Sequence, residues 1–283
     1  MSAALVTVAA LALSACSHGL LHGRAHGQQH GQDALDRTLA QLLPTQVLML
    51  GEQHDAPEHQ AIHQRTVSTL AVRGQLAAVV LEMAQGGSTA GLAATASEAQ
   101  AQEALQWDPR AWPWPAYGPV VMAAVRAGVP VLGGNLPTNR MRASMGQTEL
   151  DLRLSPQALA RQQTLIREGH CQLLPDSQIA PMTRVQIARD VNMAQTIASA
   201  LPLARPGQVV MLISGSVHAD RQLGVPMHLP AGVKVASLRL QAGSSALTGE
   251  RFDQVLTTPA APKKDYCAGL AEQFKHQAAP GSK

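Results

Sequence analysis

Val47-Leu48-Met49-Leu50 runs directly into Gly51-Glu52-Gln53-His54-Asp55, and the join between an apolar run and a glycine-led polar turn sets how the rest of the chain reads. A short apolar run bounded by glycine has the signature of a buried strand. The same join recurs. Ala77 to Leu81 leads into Glu82, Pro130 to Gly133 leads into Gly134-Asn135, and Val209 to Ser214 leads into Gly215-Ser216-Val217-His218, with a fifth candidate strand from Lys234 to Leu240. Between them lie helical stretches: Pro57 to Val72, Ser97 to Gln106, Pro119 to Ala127, Pro156 to Glu168 and Met182 to Leu201. Pro57, Pro119 and Pro156 fit first-turn positions, where proline's missing N–H costs nothing. This alternation predicts an α/β fold with a mostly parallel central sheet flanked by helices, and a helical excursion from Ser144 to Leu201 in the middle of the chain.

Open α/β sheets bind ligands at the carboxyl ends of their strands. Glu52, His54, Glu82, Asn135 and His218 all follow strands and are expected to converge on one rim. A single Gly-x-x-His says little in a chain with 23 glycines and 11 histidines. Two copies, each directly after an apolar strand and joined by a carboxylate after a third, say more. Imidazoles and carboxylates so placed suit a divalent metal, acid–base chemistry or hydrogen bonds to a ligand. With 46 % hydrophobic residues among 283, the chain can bury a large core, which excludes disorder. The net charge of +3 is scattered, so nucleic acid is not an expected partner.

Gly51-Glu52-Gln53-His54, Leu81-Glu82-Met83, Trp114-Pro115-Ala116-Tyr117-Gly118-Pro119, Gly128-Val129-Pro130-Val131 with Asn135-Leu136-Pro137, and Gly215-Ser216-Val217-His218 with Gly224-Val225-Pro226 form an ordered set. Together, over about residues 40 to 240, they resemble the ChaN-like haem-binding lipoproteins. The resemblance implies haem as cofactor, a role in iron or haem uptake with a transport system as partner, a tyrosine on the iron, and a homodimer that brings two haems face to face. Tyr117, among Trp107, Trp112 and Trp114, is the candidate ligand, against the alternative of a buried tyrosine bonding a carbonyl. The motifs also look like those of the wider Tiki, TraB and erythromycin esterase superfamily. That likeness adds Arg140, as a clamp for a propionate, to a polar centre of His54, Glu82 and His218. It also keeps a second reading open: a hydrolase of peptides or esters in which His54, Glu82 and His218 hold Zn or Mn. Neither His-Glu-x-x-His nor Gly-x-Ser-x-Gly is present. His59 and His63, four residues apart on one helix face, read as supports behind the crevice, surface residues, or alternative iron ligands.

Ala3 to Ala15 is apolar and ends Leu13-Ser14-Ala15-Cys16, which resembles a lipobox. It is shorter than the roughly 20 residues a spanning helix needs. Residues 1–15 therefore read as a lipoprotein signal peptide, with no basic residue ahead of the apolar run, and Cys16 as the lipidated residue. Ser17 after the cysteine favours the outer membrane, facing the periplasm. The segment 16–36 carries His18, His22, His26 and His30 among glycines, a tether that either chelates metal or haem iron or only spaces the domain from the membrane. The domain is expected over 37–258 and a tail over 259–283. In an oxidising compartment Cys171 and Cys267 either pair, pinning the tail to the domain, or remain free thiols.

Overall fold

The computed structural model describes residues 33–244 and 251–278, and the side chains of the last helix as far as 272. Cys16 and the four tether histidines lie outside the described residues. In chain order come α1 (33–42), β1 (Val47–Glu52), α2 (Pro57–Val72), β2 (Leu76–Leu81), α3 (Glu98–Ala104), α4 (Trp114–Arg126), β3 (Val131–Gly133) and α5 (Thr138–Ser144). A 3-10 turn, Thr148–Arg153, leads to α6 (Pro156–Gly169), α7 (Asp176–Ala200), β4 (Val209–Gly215), β5 (Val235–Ala242), β6 (Gln254–Thr258) and α8 (Tyr266–Ala278).

The strands form one sheet in the order β3-β2-β4-β1-β5-β6, and every ladder is parallel. Parallel sheets are covered on both faces, so their central strands are apolar throughout. All six residues of β1 are buried, and they alternate between two cores. Leu48 and Leu50 face a cluster filled by α1, α2 and α4, including Leu39, Leu70 and Val121. Val47 and Met49 face Met193, Ala194 and Ile197 of α7. A smaller cluster, Leu136, Leu150, Leu154, Ile187 and Ala188, packs the helical excursion onto α7.

Three local expectations are corrected. The helix predicted from Pro119 begins at Trp114, and Pro119 lies inside it. The helix predicted from Met182 begins at Asp176, with Pro181 inside it. Both prolines stand within the second turn, where the missing N–H forfeits a backbone bond but the flanking apolar face still packs. The third is β6, a sixth strand that the apolar runs do not predict. It is an edge strand with alternating exposure, so it lacks the continuous apolar run of the central strands.

Gly51 shows how closely the strand ends approach: a Cβ there would lie 2.8 Å from the Cα of Ser216 in the turn after β4. Gly51→Ala is expected to destabilise the protein by about 1–3 kcal/mol in urea unfolding, the usual cost of overpacking. An unchanged midpoint would mean that this contact is slack.

Candidate functional site

Four neighbouring strands, β3, β2, β4 and β1, deliver their C-terminal residues to one edge of the sheet. Glu52 ends β1 and Glu82 directly follows β2. Both are 2 % exposed. A buried carboxylate is costly unless it is paired and hydrogen-bonded, so the partners of these two define the site.

Glu52 Oε1 accepts from the Tyr117 hydroxyl at 2.7 Å and from His54 Nδ1 at 2.8 Å. Its Oε2 faces His63 Nδ1 at 3.5 Å. Tyr117 sits on α4 with its ring edge-on to Trp112, and is 1 % exposed. Burial, followed by the charge of Glu52, pushes the Tyr117 hydroxyl far above its usual range, which keeps it a phenol that donates. The Nδ1–H of His54 is committed to Glu52, so when the ring is neutral its lone pair sits on Nε2. That side chain is 36 % exposed and lies against Trp112, with ring centroids 4.8 Å apart.

Glu82 is held more tightly. Its Oε2 accepts from the Gly215 N–H at 2.7 Å, and its Oε1 accepts from Arg189 and lies 3.3 Å from His218 Nε2. His218 donates through Nδ1 to Asp190 Oδ1 at 2.5 Å. Burial opposes a charge on His218, but Glu82 and Asp190 outweigh it and push its pKa up to about 9, so it is an imidazolium at neutral pH. Burial likewise opposes ionisation of Glu82, yet His218, Arg189 and His54 hold it well below the usual carboxylate range. Arg189 also donates from Nε to Asn135 Oδ1 at 2.9 Å. The Gln186 amide lies 3.2 Å from both His218 ring nitrogens.

The structure thus brings Glu52, His54, Glu82, Tyr117, Asn135 and His218 together. It does not bring Arg140, which is exposed on α5 beside a separate small cleft lined by Leu136, Ala143 and Leu150. The guanidinium in the cluster is that of Arg189. Arg189, Asp190 and Gln186 were not anticipated, because they lie within α7 and follow no strand. A signal existed: Asp190 falls three or four residues from Ile187, Met193 and Ala194, so a carboxylate interrupts the buried stripe of the helix. His59 and His63 are both fully buried, so neither is a surface residue. His59 accepts from the Gln53 N–H at 3.0 Å and pairs with Thr258 at 3.0 Å; burial and His63 lower its pKa to about 4. Among the described residues, no group of three or more His, Cys, Asp or Glu is arranged to hold a metal ion. His54, Glu82 and His218 do meet, but Arg189 and His218 already crowd Oε1 of Glu82 and the Gly215 N–H takes Oε2, the oxygens a Zn or Mn centre would need.

A family model described as haem-binding uptake, Tiki superfamily, ChaN matches residues 38–229. No curated protein matches the chain. A solved structure described as cofacial heme binding to ChaN of Campylobacter jejuni superposes with a TM-score of 0.58 at 21 % identity, covering 78 % of this chain and 90 % of that one. At this identity the likeness concerns the fold.

The raised pKa of His218 has a definite sign. Folding favours its charged form, so this contribution is complete below the unfolded value of 6.5 and is lost as pH rises towards about 9. Urea unfolding free energy should therefore fall between those pH values, and Asp190→Asn should flatten the slope. A slope unchanged by Asp190→Asn would contradict this assignment.

Proposed function

The chain belongs to the haem-binding uptake family ChaN of the Tiki superfamily, and from that premise we propose that it binds haem at the strand-end crevice, as a lipid-anchored protein of iron or haem uptake. The observation that carries the reading is His54. Glu52 fixes its ring through Nδ1, Nε2 lies 3.7 Å from Glu82 Oε2, and the side chain is 36 % exposed with Trp112 alongside. A carboxylate that orients the far nitrogen of an imidazole is the usual support for a metal-ligating histidine. Haem, when bound, supplies an iron that takes an axial nitrogen or oxygen donor and a flat apolar ring with two carboxylates.

The donors present fit that group unequally. Tyr117, the candidate from sequence, turns its hydroxyl inward to Glu52 and is buried, so its part is to hold Glu52 and His54 in place. His54 is the partly exposed imidazole beside Glu52, its side chain 36 % exposed. Arg189, its side chain one-fifth exposed, leaves positive charge at the lip for a propionate.

Three further parts of the proposal rest on sequence and family alone. They are anchoring through lipid on Cys16 at the periplasmic side of the outer membrane, delivery to or from a transport system, and pairing of two copies. The hydrolase reading has no arrangement of donors in its favour among the described residues.

Hemin titration of the purified protein is expected to give a saturable Soret shift. His54→Ala should weaken binding at least tenfold. Tyr117→Phe should keep the spectrum and lose about 1.5–3 kcal/mol of stability, the typical value of a hydrogen bond to a charged group. A shift that survives His54→Ala and disappears on deleting residues 18–31 would move haem capture to the tether and refute the crevice.

A further inference from the structure

The last described helix starts with two adjacent side chains that reach different parts of the domain. Tyr266 donates its hydroxyl to the carboxylate of Asp55, the residue after His54. Cys267 forms a disulfide with Cys171, in the turn between α6 and α7. Those anchors belong to opposite faces of the sheet. Asp55 precedes α2, which packs against Leu48 and Leu50, whereas Cys171 precedes α7, which packs against Val47 and Met49. Gln186, Arg189 and Asp190 lie midway along α7 at the strand ends. The ten residues of α7 before Gln186 therefore rise roughly 15 Å beyond them, at 1.5 Å per residue. The chain reaches the same edge from the other side, because Thr258 closes β6 at its carboxyl end and bonds His59 beneath Gln53.

We propose that α8 is a strap latched across the rim of the His54 crevice, and that the Cys171–Cys267 disulfide is its release. The inference rests on the reading of that crevice as a ligand site. Three observations support a releasable element rather than part of the core. Among the described side chains 266–272 none is fully buried and only Leu270 and Ala271 are half-buried, so little apolar surface fastens the start of the helix. Cys267 is exposed and within reach of a reductant. Cys171 and Gln172 both adopt left-handed backbone conformations, at φ 57° and 59°, which L residues hold only when their surroundings demand it. A segment with few buried contacts and a single covalent tie belongs to the low-stability end of a fold. The opening step is thiol–disulfide exchange. A dithiol attacks the Cys171–Cys267 bond, two cysteine thiols form, and the attacking dithiol leaves as its own disulfide. Freed at Cys267, α8 would keep the exposed Tyr266–Asp55 hydrogen bond, which water competes for.

Carbethoxylation of His54 by diethyl pyrocarbonate, located by peptide mass mapping, reads the strap without any haem. Full-length protein is compared oxidised, reduced with a dithiol, and as Cys267→Ser, with buried His63 and His218 as internal controls. Modification of His54 should accelerate several-fold on reduction and in Cys267→Ser while the controls stay slow. Tyr266→Phe, with the disulfide intact, should give a smaller increase. Equal His54 rates in all forms overturn the strap, and so do rates that rise equally at His63 and His218, since that is unfolding. The hemin association rate is measured on the same samples. An unlatched His54 with no hemin binding in any form would refute the haem reading and leave the strap standing. Hemin binding at one rate in every form, with equal His54 reactivity, would refute the strap and leave the haem reading intact.

Discussion

Two carboxylates buried at the ends of neighbouring parallel strands are the constraint from which this site follows. Glu52 and Glu82 are each 2 % exposed, and an ionised carboxylate so far from water must be compensated by groups brought to it. The compensation comes from distant parts of the chain: Tyr117 on α4, His63 on α2, Arg189 on α7, and His218 in the turn after β4, which Asp190 of α7 holds from its other side. The residues that neutralise the carboxylates also join the helices of one face to those of the other. Removing one partner would leave a buried charge behind, so the site and the packing of the domain are coupled.

The two carboxylates divide the work. Around Glu82 the geometry is closed, with a backbone N–H, a guanidinium and an imidazolium taking its oxygens. Around Glu52 it is open on one side, since His54 spends only one ring nitrogen there, carries its other nitrogen to 3.7 Å from Glu82, and leaves 36 % of its side chain exposed. Missing side chains make the closeness possible. A Cβ on Gly215 would sit 2.9 Å from His54 Nε2, and one on Gly224 would sit 2.1 Å from the carbonyl oxygen of His218. The glycines that punctuate the motifs are thus spaces left for neighbouring loops.

Much of this was legible beforehand for a physical reason. Central parallel strands are buried on both faces, so β1 and β4 appear as unbroken apolar runs, and the residue after each run lands on the ligand edge by topology alone. That placed Glu52, Glu82 and His218. What stayed hidden depended on tertiary contact. Arg189 and Asp190 sit in mid-helix, where charge commonly means solvent, and the exposed Arg140 near a strand end drew the role of clamp instead. Tyr117 stood out as a rare aromatic, but nothing local says whether its hydroxyl faces a ligand or the core. Edge strand β6 carried a half-exposed pattern, and Val255 there is 40 % exposed.

The central claim is that one compensated pair of buried carboxylates presents a single histidine to a flat ligand. A crystal structure of the haem-loaded protein tests it most directly. The account predicts porphyrin density at the rim beside Trp112, iron facing His54 Nε2, and the Tyr117–Glu52 and Arg189–Glu82 contacts unbroken beneath it. Haem bound away from this rim, or bound by Tyr117 after it has left Glu52, would contradict the account.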